Sequence, residues 1–219
     1  MDEPLQGARF RAFRQEIRPA LRSVLLLTIL TGVVFPFILA GLTLPFFPRR
    51  AEGSLIVRDG AVVGSELIGQ AFTRPGYFHP RPSAAGAGYD PTASGGTNLG
   101  PASPKLRDGD GKDFAGVREL AEAYRRDNGL PQGASVPIDA VTRSGSGIDP
   151  HISPANAALQ VPRVARARRM PEDQVGRLVA ESTRGPDLGI LGESRVDVLG
   201  LNLALDRIAP LPPPPPPER

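Results

Sequence analysis

The residues able to do chemistry are few, and one stretch holds most of them: Thr142-Arg143-Ser144-Gly145-Ser146-Gly147-Ile148-Asp149-Pro150-His151-Ile152-Ser153-Pro154. In Ser144, Gly145, Ser146 and Gly147, hydroxyls alternate with unhindered backbone N–H groups, which is the chemistry of an anion nest. The same composition also builds a tight structural loop, in which Asp149 and His151 satisfy backbone groups ahead of a helix opened by Ser153-Pro154. Turn chemistry of this kind is common, so the residues alone favour the structural loop. His79 and His151 are the only histidines and lie far apart in the chain, and there is no cysteine. No metal-ligand spacing results, and no thiolate nucleophile. Gly109 to Asp113 lacks the spacing and the hydroxyl of a phosphate-binding Walker loop. No Gly-x-Ser-x-Gly elbow occurs. The expectation is a chain with no catalytic residues of its own, no metal site and no tightly bound cofactor.

The elements around this stretch begin with an anchor. From Ser23 to Pro48 no residue is charged, and Val24 to Leu44 is almost wholly apolar. At about 1.5 Å per residue these 21 residues span roughly 31 Å, one hydrocarbon thickness. A buried core helix would show polar positions at helical spacing, and a cleaved signal would be shorter and end in a small-x-small site. Pro36 is expected to kink the helix, and Gly32 and Gly41 to offer packing points for another helix. Arg9, Arg11, Arg14, Arg18 and Arg22 precede the span, while only Arg49 and Arg50 follow closely. The positive-inside rule puts the N-terminus in the cytoplasm and the rest outside.

Beyond the anchor the chain is nearly neutral, so the pI near 9.8 does not argue for a nucleic-acid partner. Its one basic cluster, Arg163, Arg166, Arg168 and Arg169, reads as a solvated helix face. With 25 Gly, 25 Pro and 5% aromatics, a small core and many turns are expected. Asp59-Gly60 between two β-branched runs reads as a hairpin over 54–63, and Glu66–Ala71 as a helical turn. Residues 74–112 lack periodicity; a loop of that length is either disordered or functional, and its composition alone favours disorder. An amphipathic helix capped by Asp113 is expected over Phe114–Asn128, stopped by Gly129 and Pro131. A short strand follows over Val136–Thr142. A helix from Pro154 is expected to be interrupted at Pro162 and another to run from Pro171 to about Thr183. Arg195–Ile208 fits a strand or a helix equally, and Pro212–Pro217 reads as a polyproline II tail.

The fold class is therefore α+β: one N-terminal transmembrane helix, then a small loop-rich extracytoplasmic domain. The divisions are a cytoplasmic 1–22, a membrane span 23–48, the domain 49–208 with its Gly/Pro-rich loop 74–112, and a tail 209–219.

Several blocks in order resemble one family. They are Tyr77-Phe78 with Arg81-Pro82-Ser83-Ala84, Ser94 to Gly100, Val141-Thr142 with Ser144 to Pro154, Gln160 to Ala165, and Gly192-Glu193 with Leu201 to Asp206. Together, behind one anchor, they resemble the C subunit of the Kdp potassium-transporting P-type ATPase. His79, Thr97 and Arg143 depart from the residues common in that family. The resemblance implies an accessory, non-catalytic subunit of a bacterial inner-membrane potassium uptake complex. Its implied partners are a channel-like potassium-selective subunit, a P-type ATPase subunit and membrane lipid. It implies assembly surfaces around Tyr77, Phe78, Arg81, Ser83, Asn98, Asp149 and His151, so that residues 74–112 order on a partner. It also implies a catalytic-chaperone role in which Ser144–Gly147 touches ATP within the complex, against which the topology argues. The alternative is a membrane-tethered extracytoplasmic binding protein or enzyme.

Overall fold

A computed structural model describes residues 3–58 and 60–212. The chain divides into two compact units, Met1–Ser54 and Leu55–Arg219.

The first unit is helical. α1 (Glu3–Ile29) passes into a π-helical turn (Leu30–Val34) and then α2 (Phe35–Thr43), followed by the short α3 (Pro48–Ala51). The stretch Gln15–Thr43 is long and apolar enough to cross a membrane, and it is exposed rather than packed into a core. The expected disturbance at Pro36 takes a definite form. Proline cannot donate to the carbonyl one turn back, and the ladder widens just before it, with Phe35 N–H donating to the Leu30 carbonyl. Thr31 and Thr43 return their hydroxyls to the carbonyls of Leu27 and Leu39 at 2.7 and 2.8 Å, so neither presents an unmet donor in an apolar span.

The second unit opens with an antiparallel hairpin, β1 (Leu55–Arg58) and β2 (Ala61–Ser65), with a bulge between Ile56 and Val57. The hairpin is as expected, although Asp59 of its turn lies outside the described residues. Residues 66–67 form a turn rather than helix. α4 (Pro104–Asp108) and α5 (Val117–Asn128) follow. α5 starts three residues later than expected, capped at Gly116 rather than Asp113. Phe114 lies ahead of it, under the Arg143 guanidinium at 4.2 Å. Gly129 closes α5 in the left-handed conformation, φ 66°. The expected strand at 136–142 is a 3-10 turn, Ile138–Ala140.

β3 (His151–Ile152) leads into α6 (Pro154–Arg168), where Ser153 accepts from Asn156 N–H as the cap. Pro162 does not interrupt α6. The carbonyl it leaves without a helical donor belongs to Ala158, which is exposed, so water can serve it. α7 (Glu172–Ser182), β4 (Thr183–Arg184), β5 (Arg195–Asp197) and α8 (Val198–Ile208) complete the unit. The stretch 195–208 is thus both strand and helix, divided by Asp197, whose carboxylate caps Gly200. The sheet order is β3-β5-β4, all antiparallel. One core joins Ile152, Val164, Ala165, Val175, Val179, Val196, Leu201 and Leu205.

Phe78 completes that core from inside the 74–112 loop, which corrects the disorder that its composition favours. It is fully buried, and so cannot present itself to a partner as expected. Its segment has no strand neighbour. Side-chain amides replace one: Asn202 accepts from Phe78 N–H at 2.8 Å and donates to its carbonyl at 3.0 Å, and Gln160 does the same for His79 at 2.7 and 3.0 Å. Arg163 donates to the Pro75 and Tyr77 carbonyls at 2.6 and 2.9 Å, and Arg168 to Gly76 at 2.6 Å. Arg163 and Arg168 are only 8% and 7% exposed. This corrects the expected solvated basic face for these two residues, whereas Arg166 and Arg169 are exposed as expected; a buried cation persists where hydrogen bonds replace its hydration.

Candidate functional site

Residues 81–98 and 142–153 meet to form one polar face. Ser83 is its first fastening. Its hydroxyl donates to the Gly147 carbonyl at 2.6 Å and accepts from the N–H groups of Ala85 and Tyr89. The Tyr89 hydroxyl donates to the Arg81 carbonyl. Gly95 N–H and Ser94 hydroxyl both donate to the Ser146 carbonyl, at 2.9 Å each. Gly147 is required here, because its φ is +70° and a Cβ would lie 2.7 Å from both Ala85 N and the Gly95 carbonyl oxygen.

The Ser-Gly-Ser-Gly segment engages both its hydroxyls with its own backbone. Ser144 Oγ accepts from Gly147 N–H at 2.9 Å, and Ser146 Oγ from Ile148 N–H at 3.2 Å. Ser144 and Gly147 are buried, whereas Gly145 and Ser146 are exposed. Two of the four residues therefore reach solvent. Asn98 is exposed in a left-handed turn, φ 52°.

Beside this loop Arg81 Nη1 donates to Asp149 Oδ2 at 3.0 Å, and His151 N–H donates to Oδ1 at 3.0 Å. The His151 ring nitrogen Nδ1 stands 3.6 Å from the same oxygen. Burial opposes the charge on Asp149, but hydrogen bonds from His151 and the Arg81 guanidinium outweigh it and hold the carboxyl below its usual range. Arg81 Nε is buried without a hydrogen-bond partner. With Asp139, Ser153 and Arg195 these residues line a cleft of about 260 Å³. Ser153 cannot serve as a nucleophile toward His151, since its hydroxyl donates to Asp139 at 2.9 Å while capping α6. No group of three metal-ligating side chains occurs among the described residues. The arrangement fixes a surface and offers no evident chemistry.

Among the expected site residues, Ser83, Arg81, Asp149, His151 and the 144–147 loop come together. Tyr77 lies elsewhere, its hydroxyl on Asp206 at 3.1 Å and the Arg168 guanidinium 4.9 Å from its ring. Gly32, Pro36 and Gly41 belong to the apolar helix, where both glycines have open space at the Cβ position. His79, left without a role by its sequence, is clamped by Gln160, and burial and the nearby Arg163 lower its pKa. The clamping residues were not anticipated. Their signal is Asn156, Gln160 and Arg163 at helical spacing on an otherwise apolar face.

Residues 17–207 match the family model described as "KdpC: K+-transporting ATPase, c chain". A relative from Mycobacterium tuberculosis, named as a potassium-transporting ATPase KdpC subunit, is 52% identical over 195 residues, covering 89% of this chain and 100% of the relative. Proteins of the same name from Beijerinckia indica and Gemmatimonas aurantiaca are 52% identical over 197 residues and 51% over 200. They cover 90% and 91% of this chain, and 96% of each relative.

Proposed function

This chain belongs to the KdpC family, and we propose that its folded unit is an assembly surface for its partner subunits. It is an accessory, non-catalytic chain of the Kdp potassium-transporting ATPase complex, and its partners lie within that complex. The finer reading is that the face built from 81–98 and 142–151 seats on the channel-like, potassium-selective subunit and stabilises the complex with the P-type ATPase subunit.

One observation carries this reading. The Ser144–Gly147 loop fastens residues 83–95 through its Ser146 and Gly147 carbonyls while its hydroxyls brace the loop itself, which makes a Gly/Pro-rich segment into a fixed surface. A surface ordered beforehand meets a partner without the entropy cost of ordering. Gly145→Trp tests it, since nothing lies within 4 Å of a Cβ there and the fold should survive. Co-purification with the two large membrane subunits should be lost while the helical circular dichroism of the chain is kept. Undiminished recovery of the complex would overturn the reading.

The exposure of Gly145 and Ser146 supports a second reading, contact with ATP that raises nucleotide affinity of the complex. Its test is Ser146→Ala, with ATP affinity of the whole complex as the readout; an unchanged affinity removes it. Orientation separates the two. We place the N-terminus in the cytoplasm and residues 55–208 outside a bacterial inner membrane, from the arginine flank of the span. Ser135→Cys creates a unique thiol in a chain without cysteine. Labelling of intact cells by an impermeant reagent supports this placement, and labelling only after lysis reverses it. Gly32 and Gly41 then offer close approach to a partner's membrane helix.

A further inference from the structure

The clamps on Pro75 to His79 enclose one imidazole, and it sits against a cation. Arg163 Nη1 stands 3.5 Å from His79 Nε2. Both Nη1 hydrogens are already given, to the Pro75 carbonyl at 2.6 Å and the Tyr77 carbonyl at 2.9 Å. The ring therefore receives nothing from the guanidinium. Nε2 carries its own proton and donates it to the Arg74 carbonyl at 3.2 Å. That tautomer leaves Nδ1 to take a second proton, and adding it sets an imidazolium beside a guanidinium.

The surroundings do little to relieve that repulsion. Arg163 is only 8% exposed, so water screens it poorly, and a guanidinium does not shed its charge. Nor can it withdraw alone. Its Nη2 donates to Gln160 Oε1 at 2.6 Å, the atom that also accepts from His79 N–H at 2.7 Å. From α5, Asp127 and Tyr124 face the groove that His79 lines, and Tyr89 joins them from the loop. Asp127 is the opposing carboxylate, but it is exposed and its attraction is screened. Burial pushes the ionisation of both tyrosines far up, so neither supplies a charge. The Arg74 guanidinium is turned to the Pro212 carbonyl, where the described chain ends; the expected polyproline stretch beyond it, Pro213–Pro217, lies outside the described residues. Burial and Arg163 together outweigh the Arg74 carbonyl and Asp127, which favour the charged ring.

The effect of such a charge runs along the chain. His79-Pro80-Arg81-Pro82-Ser83 is stiffened by two prolines of fixed φ, so a displacement at His79 is carried to Arg81 and Ser83. Those side chains hold Asp149 and the Gly147 carbonyl, two fastenings of the polar face.

We propose that His79 and Arg163 form an acid-sensitive latch: protonation of the ring drives residues 75–79 off α6 and loosens the face that they hold. The latch is closed above the ordinary 6.5 of histidine and opens as pH falls through the lower folded value. Its consequence for assembly rests on the reading of that face given above, and a domain outside the membrane meets the pH of the surroundings.

The test is amide exchange of the full chain in detergent at pH 7 and pH 5, compared as protection factors so that the intrinsic pH dependence of exchange drops out. A ring that titrates at about 6.5 when released and stays neutral while clamped favours opening about 25-fold more at pH 5 than at pH 7. Protection of the Phe78 and His79 amides should fall at least about threefold toward that limit, while Val175 and Val179 of α7 keep theirs. His79→Gln should abolish the fall, since its backbone groups still meet Gln160. NMR of labelled histidines in the unaltered chain, which has only two, gives a measurement that needs no variant: the His79 ring should titrate at the midpoint of the protection change. Unchanged protection at pH 5, as from a ring that swings into the groove and leaves the backbone in place, overturns the latch. So does an equal fall in His79→Gln, or a ring midpoint apart from the protection change. Recovery of the complex at pH 5, lower for the unaltered chain than for His79→Gln, supports the consequence for assembly. Equal recovery, with protection lost only in the unaltered chain, keeps the latch and overturns its link to assembly.

Discussion

Replacing Asn202 with leucine probes the clamp that substitutes for a sheet around Phe78. Asn202 is 1% exposed, accepts from Phe78 N–H and donates to its carbonyl. Leucine has a similar volume, so the cavity contribution is small. What remains is two buried backbone groups with no partner, each costing about 1–3 kcal/mol, or about 4 kcal/mol together. For a domain of this size about 1 kcal/mol moves Tm by roughly 2–4 °C, so a fall of about 8–16 °C is expected. The assay is thermal unfolding of the full chain in detergent, followed by helical circular dichroism, with amide exchange of residues 77–80 measured alongside. Asn202→Asp keeps the acceptor for Phe78 N–H but sets a carboxylate against the carbonyl, and should be at least as destabilising. A fall below about 2 °C for Asn202→Leu, or unchanged exchange at 77–80, would refute the clamp as an energetic feature.

Other consequences can be measured on the same chain. Gly147→Ala should cost about 2 kcal/mol or more, from the left-handed backbone and the contacts at Ala85 and Gly95, while Gly145→Ala should be near neutral; equal effects in denaturant titration would contradict the fastening described. His79 has a folded pKa below its ordinary 6.5, so its contribution is intact above that value and is lost as pH falls through the folded pKa; His79→Gln should flatten this part of the stability profile. Asp149 behaves alike at lower pH, its contribution being present above 3.8 and lost as pH falls through the depressed folded pKa, and Asp149→Asn should remove that acid limb in a pH series of melts. Ser153→Ala removes the cap of α6 and the bond to Asp139, and should lower stability by about 1–2 kcal/mol in chemical unfolding.

The apolar span, the hairpin, the helix stop at Gly129, the helix start at Ser153-Pro154, and the family itself were legible in the sequence. Each is written locally, as a run without charge, a turn dipeptide, a cap or an ordered set of short blocks. The candidate loop 144–147 was legible too, because its serines and glycines are adjacent. Its role as a fastener was not, since its partners at Ser83, Ser94 and Gly95 come from more than fifty residues upstream. Local reasoning also misassigned the strand at 136–142 and the break at Pro162. In the second case the carbonyl left without a helical donor belongs to an exposed residue, Ala158, so the helix can continue past the proline.

The apolar helix, the lack of catalytic chemistry and the α+β class follow from the sequence by itself, because each depends on residue type and short spacing. Only the tertiary structure decides that residues 74–98 are ordered and that Arg163 and Arg168 of α6 face inward while Arg166 stays exposed. A segment with no periodicity has no neighbour of its own to satisfy its backbone. Asn202, Gln160, Arg163 and Arg168 do so from helices more than 80 residues away. A charged side chain reads as solvent-facing until the carbonyls that replace its water are brought to it.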